Sequence, residues 1–295
     1  MCTYSSLQHH KSLKTLSTFG IGGEARYYIK VSSLQDMQKA IIFAKKEKIP
    51  YWILGKGSNS LFDDRGFCGI IIHNAISFYE HKEDCFYVGA GYSFSLLGAQ
   101  TARKGFSGLE FASGIPGSVG GAVFMNAGAS GKETADHLQS VTYVNEAGEV
   151  INFKKEALAF SYRSSPFQRM TGAIVAATFC LKKDETAKEL QKEIIKYRYA
   201  TQPYGTKNVG CIFRNPKKAS AGTLIEKCNL KSCIVGDAEV SSLHANFIIN
   251  KGGARAKEVV TLIEKVQKEV KAQTGETLES EVCIVAYDPR VGGKE

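Results

Sequence analysis

The segment KNVGCIFRNP, residues 207–216, places a cysteine beside side chains that suit a polar ligand. Gly210 precedes Cys211 and lets the backbone take conformations that other residues resist. Arg214 supplies a planar fork of N–H donors, and the amide of Asn215 both donates and accepts. The segment alone leaves three roles open for Cys211, namely a small buried hydrophobe, a metal ligand or a reacting group.

A first glycine-rich loop, GKGSNS, follows an expected strand, where backbone N–H groups can converge on a phosphate. It lacks the spacing of a Walker A loop, and Ser60 replaces the last glycine of G-x-G-x-x-G. A tight structural turn is therefore an equal alternative for this loop alone. Its candidate ligand-binding residues are Gly55, Lys56, Gly57, Ser58, Asn59 and Ser60.

A second loop, GIPGSVGGA, makes a bound ligand more plausible. So many glycines leave few side chains to pack, which indicates close approach of a ligand or of another backbone segment. Two such loops about 60 residues apart could hold both ends of a long dinucleotide, so FAD and NAD(P) are candidates. The residues concerned are Gly114, Ile115, Pro116, Gly117, Gly120 and Gly121.

The composition restricts the class of protein. Lys and Arg exceed Asp and Glu by nine among 295 residues, which favours anionic partners. The basic residues are dispersed, so we expect no nucleic-acid partner.

No apolar run approaches the ~18 residues of a membrane span, and the N-terminus lacks the apolar core of a signal peptide. Eight cysteines never form C-x-x-C, so we expect no metal site, reduced thiols and a cytoplasmic location.

The elements that must position these loops follow from hydrophobic periodicity. Strands are expected at 25–31, 50–54 and 68–73, with a helix over 32–48 that begins at Ser32 or Ser33. This order predicts a small α/β unit ending near residue 73.

A second region of alternating strands and helices follows, and the segment TQPYGT ends it near residue 201. Expected between these points are strands at 86–91 and 173–181, a hairpin at 141–153, and helices at 93–104 and 184–199. Beyond them we expect a helix over 256–273 and a strand over 278–287.

Eight motifs occur in an order that resembles the UDP-N-acetylenolpyruvoylglucosamine reductase family, from about residue 15 to 285. They are TFGIGGEA, LGKGSNSLF, LEFASGIPGSVGGAVFMNAGA, FSYRSSPF, GCIFRNP, AGTLIEK, HANFIIN and LESEV. Each motif is weak alone, whereas their joint order is specific. Only 43 residues separate Phe167 from Cys211, too few for the loop that closes over the diphosphate in the long form. The chain therefore resembles the short form.

The resemblance implies an α+β fold of the PCMH (vanillyl-alcohol-oxidase-like) FAD-binding type. Two α/β subdomains, 1–73 and 74–201, would bind FAD between them, and an α+β domain over 202–283 would bind the substrate. A C-terminal strand within 284–295 would rejoin the first subdomain. The protein would be a monomer without membrane insertion.

The resemblance also implies an activity. The family uses NADPH and non-covalent FAD to reduce UDP-N-acetylglucosamine enolpyruvate to UDP-N-acetylmuramate in peptidoglycan precursor synthesis. Arg163 matches the family's active-site arginine, and Glu281 matches its carboxylic residue near the reacting carbons. Cys211 stands where the family's proton donor is usually serine. Because a thiol ionises near pH ~8.5, activity would fall in alkaline solution.

Substrate contacts are implied less directly by the resemblance. Tyr162, Arg214 and Asn215 flank the matched positions, while His244 and Asn246 lie in HANFIIN, where a structural histidine is an even alternative. Two other functions stay open. One is another PCMH-fold flavin oxidoreductase acting on a sugar or alcohol, and the other is a non-enzymatic protein that binds anionic ligands.

Overall fold

A computed structural model describes residues 7–288. The elements of its first third are β1 Gln8–Ser12, β2 Glu24–Val31, α1 Leu34–Lys46, β3 Tyr51–Leu54, β4 Ser60–Phe62 and β5 Phe67–Asn74. Four of the strands form a sheet of order β1-β2-β5-β3. β2, β5 and β3 run parallel, and β1 is an antiparallel edge strand that sequence periodicity did not predict. The predicted helix α1 begins after Ser33, whose side chain accepts a hydrogen bond from the Asp36 backbone N–H.

The elements of the middle third are β6 Tyr79–Lys82, β7 Cys85–Gly89, α2 Phe94–Arg103, β8 Phe106–Ser107, α3 Val119–Met125, β9 Gly128–Ala129, β10 Lys132–Glu133, β11 Leu138–Asn145, β12 Val150–Lys154, β13 Gly172–Cys180, β14 Lys182–Lys183 and α4 Ala187–Thr201. Five of the strands form an antiparallel sheet of order β12-β11-β13-β7-β6. α3 begins inside the second glycine-rich loop, where the sequence predicted no helix, and ends where Asn126 takes φ 44°.

A disulfide joins Cys85 and Cys180, so the expectation of reduced thiols throughout is wrong for this pair. The two residues are directly opposed on β7 and β13, with their Cα atoms 4.2 Å apart. Strand pairing brings together cysteines that are 95 residues apart, which the absence of C-x-x-C could not reveal. Among the described cysteines, Cys68, Cys211, Cys228, Cys233 and Cys283 are free thiols.

The elements of the last third are α5 Ala221–Lys227, β15 Ile234–Val235, β16 Ala238–Val240, β17 Ile248–Asn250, α6 Ala256–Thr274 and β18 Cys283–Val285. The predicted helix α6 packs against a small antiparallel sheet, β15-β16-β17. One face of α6 is buried, and it includes Val259, Leu262, Ile263, Val266 and Val270.

Two contacts attach the last third to the first. β18 pairs in parallel with β4, and it is shorter than the strand expected over 278–287. The Asp64 carboxylate accepts hydrogen bonds from the backbone N–H groups of Ala256 and Lys257, at 2.9 and 3.3 Å, and so caps α6. Of the expected strand within 284–295, residues 289–295 lie outside the described residues, as do residues 1–6. Within 7–288, no helix is both long and apolar enough to cross a bilayer.

Candidate active site

A cavity of about 1380 Å³ lies where the three thirds of the chain meet. It exceeds the ~300–1,000 Å³ of ordinary small-molecule pockets, so it has room for a ligand longer than a single nucleotide. Its wall contains residues 55–60 of the first glycine loop, Ile115 to Ser118 of the second, and Arg163, Cys211 and Glu281. Segments distant in sequence therefore share one site.

The two glycine loops touch each other at the cavity wall. The Ser58 hydroxyl donates a 2.8 Å hydrogen bond to the Pro116 carbonyl oxygen, and a Cβ at Gly55 would collide with the Ser118 hydroxyl. Gly57 has φ +64°, and a Cβ there would collide with the Leu16 carbonyl oxygen. These two glycines thus permit close contact between protein segments, which is the alternative to a ligand that the sequence left open.

The first loop nevertheless retains unused donors. Within residues 7–288, the backbone N–H groups of 56–59 make no hydrogen bond to another protein group. The loop borders the cavity, so these donors are available to an anion such as a pyrophosphate. The structure therefore fits a dinucleotide cofactor at this wall.

The second loop combines a supported turn with an open face. Gly114 lies behind the cavity wall, where its N–H donates to the Ser95 hydroxyl at 2.7 Å and its carbonyl accepts from the Tyr204 hydroxyl at 2.6 Å. Gly117, Gly120 and Gly121 line the cavity. The Gly120 N–H donates to the Ala90 carbonyl at 2.8 Å, so this glycine also fixes the start of α3 against the sheet.

Arg163 reaches the cavity from the tip of a tight turn. Ser161 and Ser164 exchange backbone hydrogen bonds, and Arg163 takes φ +54°, a conformation that costs a non-glycine residue about 1–2 kcal/mol. The surroundings fix it there, since Nη2 donates to the Gly128 carbonyl at 2.8 Å and the Gln168 amide donates to the Arg163 carbonyl at 3.2 Å. Such strain at a cavity wall is typical of functional sites.

Glu281 is the direct partner of Arg163. The Arg163 Nε donates to Glu281 Oε1 at 2.8 Å, and each side chain is 16% exposed. Burial raises the pKa of the Glu281 carboxyl above its ordinary value, although the charge and hydrogen bond of Arg163 oppose this. The Glu281 backbone accepts from the Asn59 side-chain amide at 3.1 Å, which connects it to the first glycine loop.

Cys211 lies between two extended segments. It pairs with Phe247 as an isolated β-bridge, and the next residue, Ile212, accepts a 2.8 Å hydrogen bond from the Glu281 N–H. Gly210 has φ +81° with nothing near its missing Cβ, so its conformation, and not a neighbour, requires glycine. Backbone pairing thus places Cys211 beside Glu281, from a segment 70 residues away.

The thiol of Cys211 is much less acidic than its residue type suggested. It is half-buried and lines the cavity. Burial, together with the negative charge of Glu281, raises its pKa to about 12, although Arg163 and Arg198 oppose the shift. The expectation of ionisation near pH ~8.5 is therefore wrong, because a free thiol was taken as the reference.

None of the five expected substrate contacts belongs to the cavity lining. Tyr162 is 43% exposed, and its ring lies 4.9 Å from the Arg163 guanidinium carbon. Arg214 donates to the Arg163 carbonyl at 3.4 Å, and Asn215 accepts at 3.0 Å from the N–H of Ala221, the first residue of α5. These three residues stabilise the turn and the segment that carry Arg163 and Cys211.

His244 and Asn246 also make local contacts. The Asn246 amide both accepts from the Phe213 N–H at 2.9 Å and donates to its carbonyl at 2.8 Å. His244 Nδ1 accepts from the Asn246 N–H at 3.2 Å, and burial lowers the pKa of the imidazole. Asn246 thus orients the segment that contains Cys211, and a role of either side chain in substrate binding stays a prediction.

Sequence reasoning did not find Arg198 and Tyr204, which line the cavity from the end of α4 and the segment that follows it. The sequence feature noted beside them was the segment TQPYGT, which was interpreted as a domain boundary. Within 7–288, no group of three His, Cys, Asp or Glu side chains is placed to bind a metal ion.

Comparison with known proteins agrees with this arrangement. A family model described as FAD binding domain matches residues 25–154, and one described as UDP-N-acetylenolpyruvoylglucosamine reductase, C-terminal domain, matches residues 202–285. The reductase of that name from Protochlamydia amoebophila is 58% identical over 281 residues, covering 95% of this chain and 94% of its own. The one from Chlamydia muridarum is 48% identical over 288 residues, covering 97% of both chains.

The same likeness appears in three dimensions. The crystal structure of UDP-N-acetylenolpyruvylglucosamine reductase from Thermus caldophilus superimposes with a TM-score of 0.79 at 36% identity, over 94% of this chain and 97% of that one. The α+β fold class expected from the sequence is thereby confirmed. Because both sequence and fold match along nearly the whole chain, the protein belongs to the UDP-N-acetylenolpyruvoylglucosamine reductase family.

Proposed function

We propose that this protein uses NADPH, through FAD, to reduce UDP-N-acetylglucosamine enolpyruvate to UDP-N-acetylmuramate. The observation that carries the proposal is the meeting of Arg163, Cys211 and Glu281 at one wall of the cavity that the glycine loops also border. We call these three residues the reactive cluster. A rival flavin oxidoreductase acting on a sugar or alcohol would leave this combination of a fixed cation and a proton donor unexplained.

FAD would be held by the two glycine loops. The unused N–H groups of residues 56–59 suit its pyrophosphate, and the volume of the cavity suits a dinucleotide together with a substrate. FAD, when bound, supplies the hydride chemistry that connects NADPH to the substrate. We propose that it is bound non-covalently, since the first loop presents neither His nor Cys.

Arg163 stabilises negative charge on the substrate. Addition of a hydride to C3 of the enolpyruvyl group leaves negative charge at C2 and on the carboxylate oxygens. A guanidinium that is permanently charged and fixed in place stabilises this charge without reorganising. Glu281 orients that guanidinium through the 2.8 Å contact with Nε, leaving other N–H groups of Arg163 for the substrate.

Cys211 delivers the proton to C2. Its thiol must be protonated to act, and the raised pKa keeps it so at neutral pH. The bond from Sγ to hydrogen breaks, the bond from C2 to hydrogen forms, and solvent returns a proton to the thiolate. Arg163 and Arg198 lower the energy of that transient thiolate, since both oppose the rise of the pKa.

Several further properties belong to the same proposal. We propose FAD-binding subdomains over 1–73 and 74–201 and a substrate domain over 202–283, with the chain end rejoining the first unit, which the pairing of β18 with β4 supports. We further propose that the protein is a cytoplasmic monomer without a nucleic-acid partner.

The test is a product assay on the purified protein. It should be yellow, release its flavin into the supernatant on acid precipitation, and oxidise NADPH only when UDP-N-acetylglucosamine enolpyruvate is present. Mass spectrometry should identify UDP-N-acetylmuramate in the mixture. A colourless protein, or NADPH oxidation that ignores this substrate, would contradict the proposal.

A further inference from the structure

Asn126 is a buried amide that lies behind the turn of Arg163. It follows α3 with φ 44° and ψ 52°, the left-handed conformation in which a helix most often ends on glycine. Its side chain is 0% exposed and does not belong to the cavity lining, so it is not placed to touch a ligand. Glycine would satisfy the backbone conformation alone, and the buried amide therefore requires another explanation.

Three hydrogen bonds use both polar atoms of the Asn126 amide. Nδ2 donates to Glu133 Oε2 at 2.7 Å and to the Ser161 carbonyl at 2.9 Å, and Oδ1 accepts from the Ala135 N–H at 3.0 Å. Asn126 thus joins the end of α3 to the hairpin β9-β10 on one side and to the segment before Arg163 on the other. A buried amide with all its partners in place fixes the groups that it binds.

Both segments that Asn126 holds make contacts with Arg163. Ser161 and Ser164 exchange backbone hydrogen bonds of 3.1 and 2.9 Å, and these close the turn in which Arg163 takes φ +54°. Gly128, on strand β9 of the hairpin, accepts from Arg163 Nη2 at 2.8 Å. One amide therefore fixes both the backbone turn of Arg163 and the carbonyl that binds its guanidinium.

A second asparagine in the same conformation shows that these contacts are not needed for the conformation itself. Asn229 follows the short helix α5 with φ 56°, and it is exposed. Within residues 7–288 its side chain has no hydrogen-bond partner, whereas the side chain of Asn126 has three. The amide of Asn126 therefore serves its partners and not the helix end.

We propose that Asn126 is a positioning residue for Arg163 and holds the guanidinium where the enolpyruvyl substrate gains negative charge. This inference rests on the proposed function. Asn126 acts only by fixing the Ser161 carbonyl and the hairpin that carries Gly128. Loss of this support displaces the guanidinium, and a displacement of about 1 Å can slow a reaction about 10²-fold.

The first test exchanges a donor and an acceptor between Asn126 and Glu133. In the double variant Asn126→Asp with Glu133→Gln, the amide at residue 133 can donate to the carboxylate at residue 126, which still accepts from the Ala135 N–H. The total charge and the hairpin contact are kept, and the donation to the Ser161 carbonyl is lost. Stopped-flow absorbance should show reoxidation by the enolpyruvyl substrate slowed about tenfold to 10²-fold. Reduction of the flavin by NADPH should stay near the native rate.

Asn126→Gly tests the same role without moving a charge. Glycine adopts the left-handed conformation readily, so this variant loses the three hydrogen bonds and keeps the backbone geometry. Rates are expressed per bound flavin, so that unfolded chains do not contribute. Asn229→Gly is the matched control, because it removes an exposed asparagine from the same conformation and should leave both half-reactions unchanged.

A double-mutant cycle separates positioning of Arg163 from a general structural role. Because Asn126 acts through Arg163, Asn126→Gly should slow substrate reduction by less than about threefold when Arg163→Ala is already present. Losses that multiply would mean that Asn126 acts by a route independent of Arg163, which overturns the proposal.

Three other results would also overturn it. Equal slowing of both half-reactions, or loss of FAD from both Asn126 variants, would mean that the amide supports the cofactor site. A lower melting temperature with unchanged substrate reduction would mean a purely structural role. A native protein that does not reduce the enolpyruvyl substrate overturns the proposed function as well, whereas native turnover with unchanged Asn126 variants overturns this inference alone.

Discussion

The two sides of the cavity are held in place by different means. The glycine loops rest on backbone contacts, such as the approach of Gly57 to Leu16 and the hydrogen bond from Gly120 to Ala90. Within the reactive cluster, Arg163 and Glu281 are instead joined by a side-chain hydrogen bond that spans 118 residues. Substitutions on the first side should therefore impair folding and cofactor binding, and those on the second should impair single chemical steps.

This difference can be measured because the reaction divides in two. In the proposed mechanism, reduction of the flavin by NADPH needs the glycine loops but not a proton donor to C2. Reduction of the enolpyruvyl substrate would need both. Substitution of a residue in the reactive cluster should slow only the second step. Substitution of a residue in the glycine loops should affect both steps, because it lowers the flavin content.

The largest effect is expected for Cys211→Ala, which removes the proposed proton donor. Because general acid catalysis contributes roughly 10²–10⁴ in rate, reoxidation of the reduced enzyme by substrate should slow by that factor. Stopped-flow absorbance at the flavin band measures it directly. Flavin reduction by NADPH should stay near the native rate.

Cys211→Ser is the matched control for this substitution. A hydroxyl has nearly the same reach as the thiol, so substantial substrate reduction should remain. If Cys211→Ala reoxidises at the native rate, the proton comes from elsewhere and the assignment fails.

Arg163→Lys is expected to have the next largest effect. Lysine keeps the charge but loses the planar fork that binds Glu281 and the Gly128 carbonyl together. Loss of one preorganised contact costs ~10²–10³ in rate, so substrate reduction should slow by about that much. Equal slowing of flavin reduction in the same stopped-flow experiment would mean that Arg163 mainly builds the flavin site.

Gly57→Ala should instead act on folding and cofactor content. Its Cβ would collide with the Leu16 carbonyl, and overpacking of this kind costs roughly 1–3 kcal/mol of unfolding free energy. Gly131→Ala is the control, since Gly131 has φ +76° but open space around it. Calorimetry and flavin absorbance per chain should show a larger loss for Gly57→Ala. Equal losses would mean that backbone strain alone requires glycine at residue 57.

Local patterns predicted the elements but not their distant pairings. The periodicity of α1 and α6 and the short apolar segments of β2 and β5 identified these elements to within a few residues. The edge strand β1 is polar on its surface and gives no such signal. The Cys85–Cys180 disulfide depends on the pairing of β7 with β13, which no local pattern contains.

The functional site was likewise predictable where it depends on local sequence and not where it depends on tertiary packing. The glycine loops were recognisable from composition, and the segment around Cys211 marked that residue as a candidate, whereas Arg163, Glu281 and the role of Cys211 came only from the family resemblance. Arg198 had no signal, since an arginine in a helix is ordinarily solvated and its burial depends on tertiary packing. The pKa of Cys211 was missed for the same reason, because the sequence does not show what surrounds a thiol.

The smallest effect is expected for alkaline pH, and it tests that environment directly. A thiol with an ordinary pKa of ~8.5 would lose about 30-fold in the protonated donor by pH 10. Burial raises the pKa of Cys211 to about 12, so the proposed proton donor stays protonated, and substrate reduction should change less than about twofold from pH 7 to 10 through this group.

Cys211→Ser supplies the reference for this measurement, because its hydroxyl does not titrate in this range and any other ionisation affects both proteins equally. The ratio of native to Cys211→Ser reoxidation rates, measured by stopped flow, should therefore be constant with pH. A ratio that falls steeply above pH 8.5 would show that the thiol is solvated in the working enzyme and that its burial does not control its acidity.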